Sequence, residues 1–109
     1  MENKSLFIEF MGNSPMIRVL DYLLTERELD FSITDIAKNA GIGRATLYRI
    51  WGRLIKNNII SHTREIGKAK LFKLNTNNPK IKKLIEIDNA LVLEDLKRRS
   101  ETKKIKIAA

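Results

Sequence analysis

Apolar positions between residues 16 and 24 repeat with the spacing of an amphipathic helix. Intervals of three and four residues place them on one face, which we expect to lie in the core. Ser14 and Pro15 predict the helix start, because a serine oxygen can cap the free amides of a first turn and proline at the first helical position sacrifices no hydrogen bond. The helix is predicted to run to about residue 27. Its apolar face carries Met16, Val19, Leu20, Leu23 and Leu24.

Two short segments have the composition of strands. Residues 5–11 mix aromatic and branched side chains immediately before Gly12 and Asn13. They predict a short strand, and a helical turn is the alternative at this length. Residues 31–33, Phe-Ser-Ile, predict a minimal strand that leads into another helix.

Two helices joined by a tight turn are predicted in the middle of the chain. The first covers about 33–40, with Ser32 as its cap, and ends at Gly41, because glycine adopts the left-handed conformation that closes a helix without steric cost. The second covers about 44–57. Its inward side carries Leu47, Ile50, Trp51, Leu54 and Ile55.

A β-hairpin and a last helix follow. Residues 59–65 and 69–74 both suit strands, and Gly67 lies at the turn between them. Turn-forming residues then lead to Pro79, which suits the start of a helix, and the helical pattern covers 80–97.

The chain is predicted to form one domain over residues 1–96, since its 109 residues are near the usual size of a single domain. Residues 98–109 mix lysine and arginine with isoleucine and lack a packing pattern. We expect them to form a mobile basic tail, whose charge suits either a phosphate backbone or solvent.

Positive charge is concentrated in the middle of the sequence. The net charge is +8, and residues 43–73 hold eight basic residues against one acidic residue, Glu65. A cluster of this kind indicates either a nucleic-acid partner or a solvated basic face. The basic residues are Arg44, Arg49, Arg53, Lys56, Arg64, Lys68, Lys70 and Lys73.

Catalytic, metal and membrane functions find little support. The chain has no cysteine and a single histidine, His62, so neither a disulfide nor a metal site is predicted. Nucleophile, base and orienting group cannot be assembled into a catalytic site, and no phosphate-binding glycine loop is present. We therefore expect no enzyme activity and no cofactor. No apolar run has the length of a membrane span and no signal peptide is recognised, so a cytoplasmic location is the default expectation.

The segment from Ile33 to Ile50 resembles the helix-turn-helix of prokaryotic transcription regulators. Ala37 is small where the two helices approach, Gly41 permits the turn, and Ile36, Ala40, Ile42, Leu47 and Ile50 face inward. Together with the hairpin, residues 15–75 resemble a winged helix. The implied fold is mainly α with a small β-hairpin, an α+β winged helix-turn-helix with an additional C-terminal dimerisation helix. The run from Lys70 into the last helix also resembles small archaeal winged-helix proteins.

This resemblance implies a DNA-binding role for specific residues. The recognition helix, residues 44–57, would enter the major groove, and the wing, residues 59–75, would lie on the backbone. The alternatives are a helical hairpin used only for packing, and wing lysines that only protect a sheet edge. The expected base contacts are Arg44, Thr46, Tyr48 and Arg49, and the expected phosphate contacts are Arg53, Lys56, Arg64, Lys68 and Lys70.

The last helix carries apolar residues over about half its circumference, more than one domain contact usually needs. This pattern predicts a homodimer formed through that helix. Deeper burial in its own domain is the alternative. The dimerisation residues are predicted to be Leu84, Ile87, Leu91 and Leu93.

Three functions follow from these observations. The leading hypothesis is a dimeric, sequence-specific transcription regulator of double-stranded DNA. The alternatives are a nucleoid-type or plasmid-segregation protein that coats DNA, and a winged-helix module that binds protein. The sequence identifies no small-molecule effector.

Overall fold

The computed structural model describes residues 5–108, with side chains through Glu101. Within that range the chain forms five helices and three strands. In chain order these are α1 (Leu6–Met11), α2 (Pro15–Thr25), β1 (Phe31–Ser32), α3 (Ile33–Ala40), α4 (Arg44–Lys56), β2 (Ile60–Ile66), β3 (Ala69–Leu74) and α5 (Pro79–Ala108). No helix among these residues is long and apolar enough to cross a bilayer.

The helix boundaries predicted from capping residues are confirmed. Ser14 Oγ accepts a hydrogen bond from the Ile17 amide at 3.2 Å, and Ser32 Oγ accepts one from the Asp35 amide at 3.1 Å. Gly41 ends α3 in the left-handed region, with φ 71° and ψ 36°. The helix-turn-helix of α3 and α4 is therefore present as expected.

The three strands form one antiparallel sheet in the order β1-β3-β2. The predicted hairpin of β2 and β3 is confirmed, and β1 pairs with the other side of β3, so that Phe31 lies opposite Phe72. The register of β2 shifts between His62 and Arg64, which is a β-bulge. With the helix-turn-helix and the C-terminal helix, this sheet confirms the winged-helix fold class.

One core holds these elements together. Buried side chains come from α1 to α4 and from the sheet, and α5 contributes Ile81. Trp51 packs against this core, with its ring edge-on to Phe72 at 4.9 Å between centroids. It is half-buried, in agreement with the inward orientation predicted for it.

The strand predicted over residues 5–11 is wrong, because this segment forms α1. Leu6 and Phe10, and likewise Phe7 and Met11, are four residues apart, which is helical spacing. Phe7 is buried in the core. Ser5 Oγ caps the helix by accepting from the Ile8 amide at 3.0 Å.

The predicted end of the last helix at residue 97 is also wrong, because α5 continues to Ala108. The sequence after Pro79 contains neither glycine nor proline, so nothing in it interrupts the helix. Ion pairs one turn apart support the continuation. Arg98 Nη2 lies 3.6 Å from Glu94 Oε1, and Arg99 Nε lies 2.9 Å from Asp95 Oδ2. Residues 98–108 of the predicted tail are thus helical, and their side chains are described only through Glu101.

Candidate nucleic-acid interface

Helix α4 packs against α3 and presents its opposite face to solvent. Its buried residues are Leu47, Ile50 and Leu54. A second line at intervals of four, three and four residues lies on the outward side. This outward line consists of Ala45, Arg49, Gly52 and Lys56, all of them exposed.

The four predicted base contacts lie together in the N-terminal half of α4. Arg44 Nη2 donates to the Tyr48 hydroxyl at 3.1 Å, and the Arg44 guanidinium carbon lies 5.8 Å from the centroid of the Tyr48 ring, within cation–π range. Arg49 Nη2 donates to Thr46 Oγ1 at 3.4 Å. These bonds are exposed to solvent, so the guanidinium donors can exchange them for base edges at little cost.

The two predicted phosphate contacts of α4, Arg53 and Lys56, lie in its last turn and are exposed. Residues 44–56 contain four basic residues and no acidic residue. A solvated helix usually mixes both signs of charge. The outward side of α4 is therefore uniformly positive.

Arg64 in the wing is bound to an acidic residue that the sequence analysis did not single out. Its Nε donates to Asp30 Oδ2 at 2.9 Å, and its Nη2 donates to Asp30 Oδ1 at 3.1 Å. Thr63 Oγ1 donates to Asp30 Oδ2 at 2.6 Å. The hydrogen bonds from Arg64 and Thr63 stabilise the carboxylate and lower the pKa of Asp30 to about 2. No local pattern could reveal this pair, because its members are 34 positions apart.

The lysines predicted in the wing differ in their surroundings. Lys68 is exposed at the turn, next to Gly67, whose φ of 60° lies in the left-handed region. Lys70 is exposed on β3 and lies opposite Glu65 in the register of the hairpin. Lys68 is therefore the more available of the two for an anionic partner.

The predicted dimerisation residues separate into two groups. Leu84 and Leu91 are half-buried and pack against the core of their own chain. Ile87 and Leu93 are exposed, Leu93 by 61%. For Leu84 and Leu91 the structure therefore fits the alternative, burial in their own domain. Outside the four predicted dimerisation residues, exposed apolar side chains also occur at Phe10, Met11, Val92 and Leu96.

A buried amide joins the end of α4 to the start of α5. The side chain of Asn78 is largely inaccessible, at 7% exposure for the residue. Its Nδ2 donates to the carbonyl oxygens of Asn57 and Asn58, at 2.9 Å each, and its Oδ1 accepts from the Lys80 amide at 2.9 Å. The sequence analysis interpreted this region only as a turn. The signal available there is the pair of asparagine clusters that flank the hairpin.

Gly52 lies mid-helix in the outward line of α4, where glycine costs about 1 kcal/mol relative to alanine. A glycine at such a cost indicates that another segment or DNA approaches it closely. Beyond the adjoining residues and backbone of α4 itself, no described atom lies within 4 Å of a Cβ built on Gly52. The chain by itself therefore gives no packing reason for this glycine.

The sequence matches no protein-family model and no curated protein. Solved structures with a similar fold include MepR, a transcription regulator of the Staphylococcus aureus multidrug efflux pump MepA. The identity is 17%, the TM-score is 0.60, and the match covers 93% of this chain and 77% of MepR. NadR in complex with 4-hydroxyphenylacetate is similar at 18% identity and a TM-score of 0.60, over 94% of this chain and 80% of NadR.

A shorter protein shares the same architecture over nearly its full length. Sso10a-2, a DNA-binding protein from Sulfolobus solfataricus, is 18% identical with a TM-score of 0.50, over 84% of this chain and 92% of Sso10a-2. At these identities the three likenesses establish the winged-helix fold of the chain.

Proposed function

We propose that this chain is a homodimeric, sequence-specific double-stranded DNA-binding protein that regulates transcription. The observation that carries the proposal is the outward side of α4, where four basic residues and no acidic residue follow the turn of a helix-turn-helix. A helix of this kind fits the major groove, and its N-terminal half is the part that meets the bases. The regulators with a similar fold are consistent with this proposal.

The residues of α4 divide by depth in the groove. Arg44 and Arg49 pair with guanine edges, while Thr46 and Tyr48 contact neighbouring bases and hold the two guanidinium groups in the free protein. Arg53 and Lys56 lie about 2.5 and 3.3 turns after Arg44, where a straight helix leaves the groove. They contact phosphates, which fixes register and adds affinity without sequence information.

The wing supplies sequence-independent contacts. Lys68 at the turn and Lys70 on β3 bind phosphates. Arg64 reaches phosphate only with the donors that Asp30 leaves, so its contribution is smaller than its charge indicates.

The dimer forms through the exposed apolar side chains of α5. Ile87 and Leu93 belong to this interface, with Val92 and Leu96 beside them, while Leu84 and Leu91 hold α5 on its own domain. Burial of the exposed set against a second copy removes apolar surface from water. A twofold dimer presents two recognition helices and therefore prefers a roughly palindromic site.

A DNA-coating protein is the second candidate. The observation in its favour is α5, which continues through residues 97–108, a segment with six basic residues and one acidic residue. The likeness to Sso10a-2, described as a DNA-binding protein, is consistent with it. Such a protein binds with little sequence preference.

One titration separates these functions. The purified protein is bound to a library of random duplexes at several salt concentrations, with excess unselected DNA as competitor, and the retained duplexes are sequenced. A regulator enriches a motif, and its complex resists the competitor, with a steep salt dependence. Salt-dependent binding without a motif supports the coating protein. An absence of DNA binding at low salt contradicts both and leaves a module that binds protein.

A further inference from the structure

We infer that Asn78 is a positioning residue that holds α4 at a fixed orientation to α5, and thereby sets the separation of the two recognition helices in the dimer. The second part of this inference rests on the proposed function. The first part concerns the free protein and can be tested without DNA.

The side chain of Asn78 is fully used in this link. Both hydrogens of its amide are required for the two bonds to the carbonyl oxygens of Asn57 and Asn58. Its oxygen caps α5 at the Lys80 amide. These hydrogen bonds are partly buried. Loss of the amide would therefore leave the carbonyl oxygens of Asn57 and Asn58 without a donor and with poor access to water.

The chain leaves α4 in a conformation that these bonds stabilise. Asn58 has a φ of 54°, the one positive value among the described residues other than glycine. Asparagine adopts this left-handed region more readily than most residues, but the conformation still costs free energy. It persists only where surrounding hydrogen bonds hold it. The Asn58 carbonyl receives two such bonds, from Nδ2 of Asn78 at 2.9 Å and from Nδ2 of Asn75 at 3.0 Å.

Direct packing between α4 and α5 is sparse, and Leu84 and Leu91 hold α5 on the shared core instead. Ile81 is buried and anchors the first turn of α5. Beside it an open cleft of about 410 Å³ lies between residues 57–59, which follow α4, and the first turns of α5, where Leu84 lines it. The most extensive packing of α5 among the described elements is with α1, at a distance from this junction. The hydrogen bonds of Asn78 are what tie α5 to α4 here.

Variants of Asn78 can remove the link and keep the helix cap. Asn78→Asp retains an oxygen for the Lys80 amide but has no N–H group for the two carbonyl oxygens. Asn78→Ser also keeps a capping oxygen and adds no charge beside those oxygens, and its single O–H donor can replace at most one of the two lost bonds. It serves if the aspartate variant folds poorly. Asn77→Ala, at the exposed neighbour, is the matched control.

A distance measurement tests the positioning role in the free protein. The chain contains no cysteine, so a spin label can be placed on each of two exposed alanines, Ala45 of α4 and Ala90 of α5. Labelled protein is diluted into unlabelled protein so that distances within one chain dominate. We expect a narrow distribution for the parent and Asn77→Ala, and one about twofold broader or shifted for both Asn78 variants. An unchanged distribution in both Asn78 variants would overturn the inference.

Selected DNA tests the consequence for the dimer. Duplexes with one half-site, and with two half-sites whose separation changes by single base pairs, are titrated with each unlabelled protein. We expect the Asn78 variants to bind one half-site within about twofold of the parent, and to lose about tenfold on two half-sites at the preferred separation. A separation profile as sharp as that of the parent would overturn the second part. So would an equal loss on one half-site, since Asn78 would then act on α4 itself.

The two measurements fail independently. If the parent protein selects no motif, the proposed function fails, and the spin-label distances still decide whether Asn78 fixes the orientation of α4.

Discussion

The guanidinium group of Arg18 lies over Gly41, at the turn between α3 and α4. Arg18 Nε donates to the carbonyl oxygen of Ala40 at 3.2 Å, and a Cβ built on Gly41 would lie 2.6 Å from Arg18 Nη2. The positive group therefore closes the C-terminal end of α3, where the helix dipole favours it. The positive φ of Gly41 favours glycine, and a methyl group there would also push the end of the flexible Arg18 side chain aside.

Replacement of this glycine should destabilise the domain. We expect Gly41→Ala to lower the free energy of unfolding by about 1–3 kcal/mol, because alanine is strained at positive φ and displaces Arg18. Denaturant unfolding measures the change. Gly67→Ala is the control, since Gly67 also has a positive φ but no described atom within 4 Å of its built Cβ. If Gly67→Ala is as costly as Gly41→Ala, the contact with Arg18 contributes nothing.

Gly52→Ala should change stability and DNA binding in opposite directions. The site has room for a methyl group, so helix propensity should raise the free energy of unfolding by about 0.5–1 kcal/mol. The same methyl group would stand in the outward line of α4 and keep DNA at a distance. We expect weaker binding to a selected duplex, measured by titration. Unchanged affinity in the stabilised variant would show that DNA does not approach Gly52.

The pair of Asp30 and Arg64 should give a pH-dependent contribution to stability. Because the pKa of Asp30 is lowered from 3.8 to about 2, this contribution is fully present above pH 3.8 and is lost as the pH falls through about 2. Asp30→Asn should therefore lower the free energy of unfolding at neutral pH and approach the parent at pH 2. Thermal unfolding between pH 2 and pH 5 checks this. A constant difference across that range contradicts it.

The same substitution should strengthen DNA binding, because it releases the charge of Arg64 for phosphate. We expect Asp30→Asn to increase affinity for unselected duplex at low salt and to steepen the salt dependence. Arg64→Ala together with Asp30→Asn is the control, since the gain depends on Arg64. If the gain in affinity persists in the double variant, it comes from the loss of the negative charge of Asp30 and not from Arg64.

Asp88 should show the opposite pH dependence. Its burial on α5 raises its pKa above 3.8, while the charge of Arg27 opposes this and that of Asp21 adds to it. The folded state therefore takes up a proton more readily than the unfolded state. The parent should gain stability relative to Asp88→Asn as the pH falls through the raised pKa towards 3.8. Unfolding of both proteins across that range is the test, and a parent that loses stability relative to the variant contradicts it.

A charge at Leu93 should separate the proposed dimer without unfolding its domain. Leu93→Asp places a carboxylate in the exposed apolar set of α5, where burial against a second copy would cost several kcal/mol. Sedimentation should show the mass of one chain. Leu84→Ala is the contrasting variant, since Leu84 packs on its own core. It should keep the dimer and lower the free energy of unfolding by about 1–2 kcal/mol. A dimer that survives Leu93→Asp would place the interface elsewhere.

The sequence predicted those elements whose cause is local. Ser14, Ser32 and Gly41 act on amides and carbonyls within a few residues, and the start of α2 and both ends of α3 follow from them. The hairpin follows from two strand-like runs around Gly67. The short segment at 5–11 was mistaken for a strand because its composition suits both structures, and the burial of Phe7 decides in favour of a helix.

The candidate site was predictable only as far as each residue acts alone. The outward position of Arg44 and Arg49 follows from helical spacing. The pair of Asp30 and Arg64 and the link made by Asn78 depend on tertiary structure that brings distant segments together. No local sequence pattern indicates such contacts, because they form only when the folded sheet and α5 bring the segments together.

The length of helix α5 amplifies small changes in its angle at Asn78. Its 30 residues extend over about 45 Å, so a tilt of about 5° at its first turn displaces its far end by about 4 Å, close to the rise of one base pair. If two chains pack along this helix, a small rotation near Asn78 would displace their two recognition helices relative to each other. In such a dimer, the angle that Asn78 fixes would determine how narrowly the separation of two half-sites is limited.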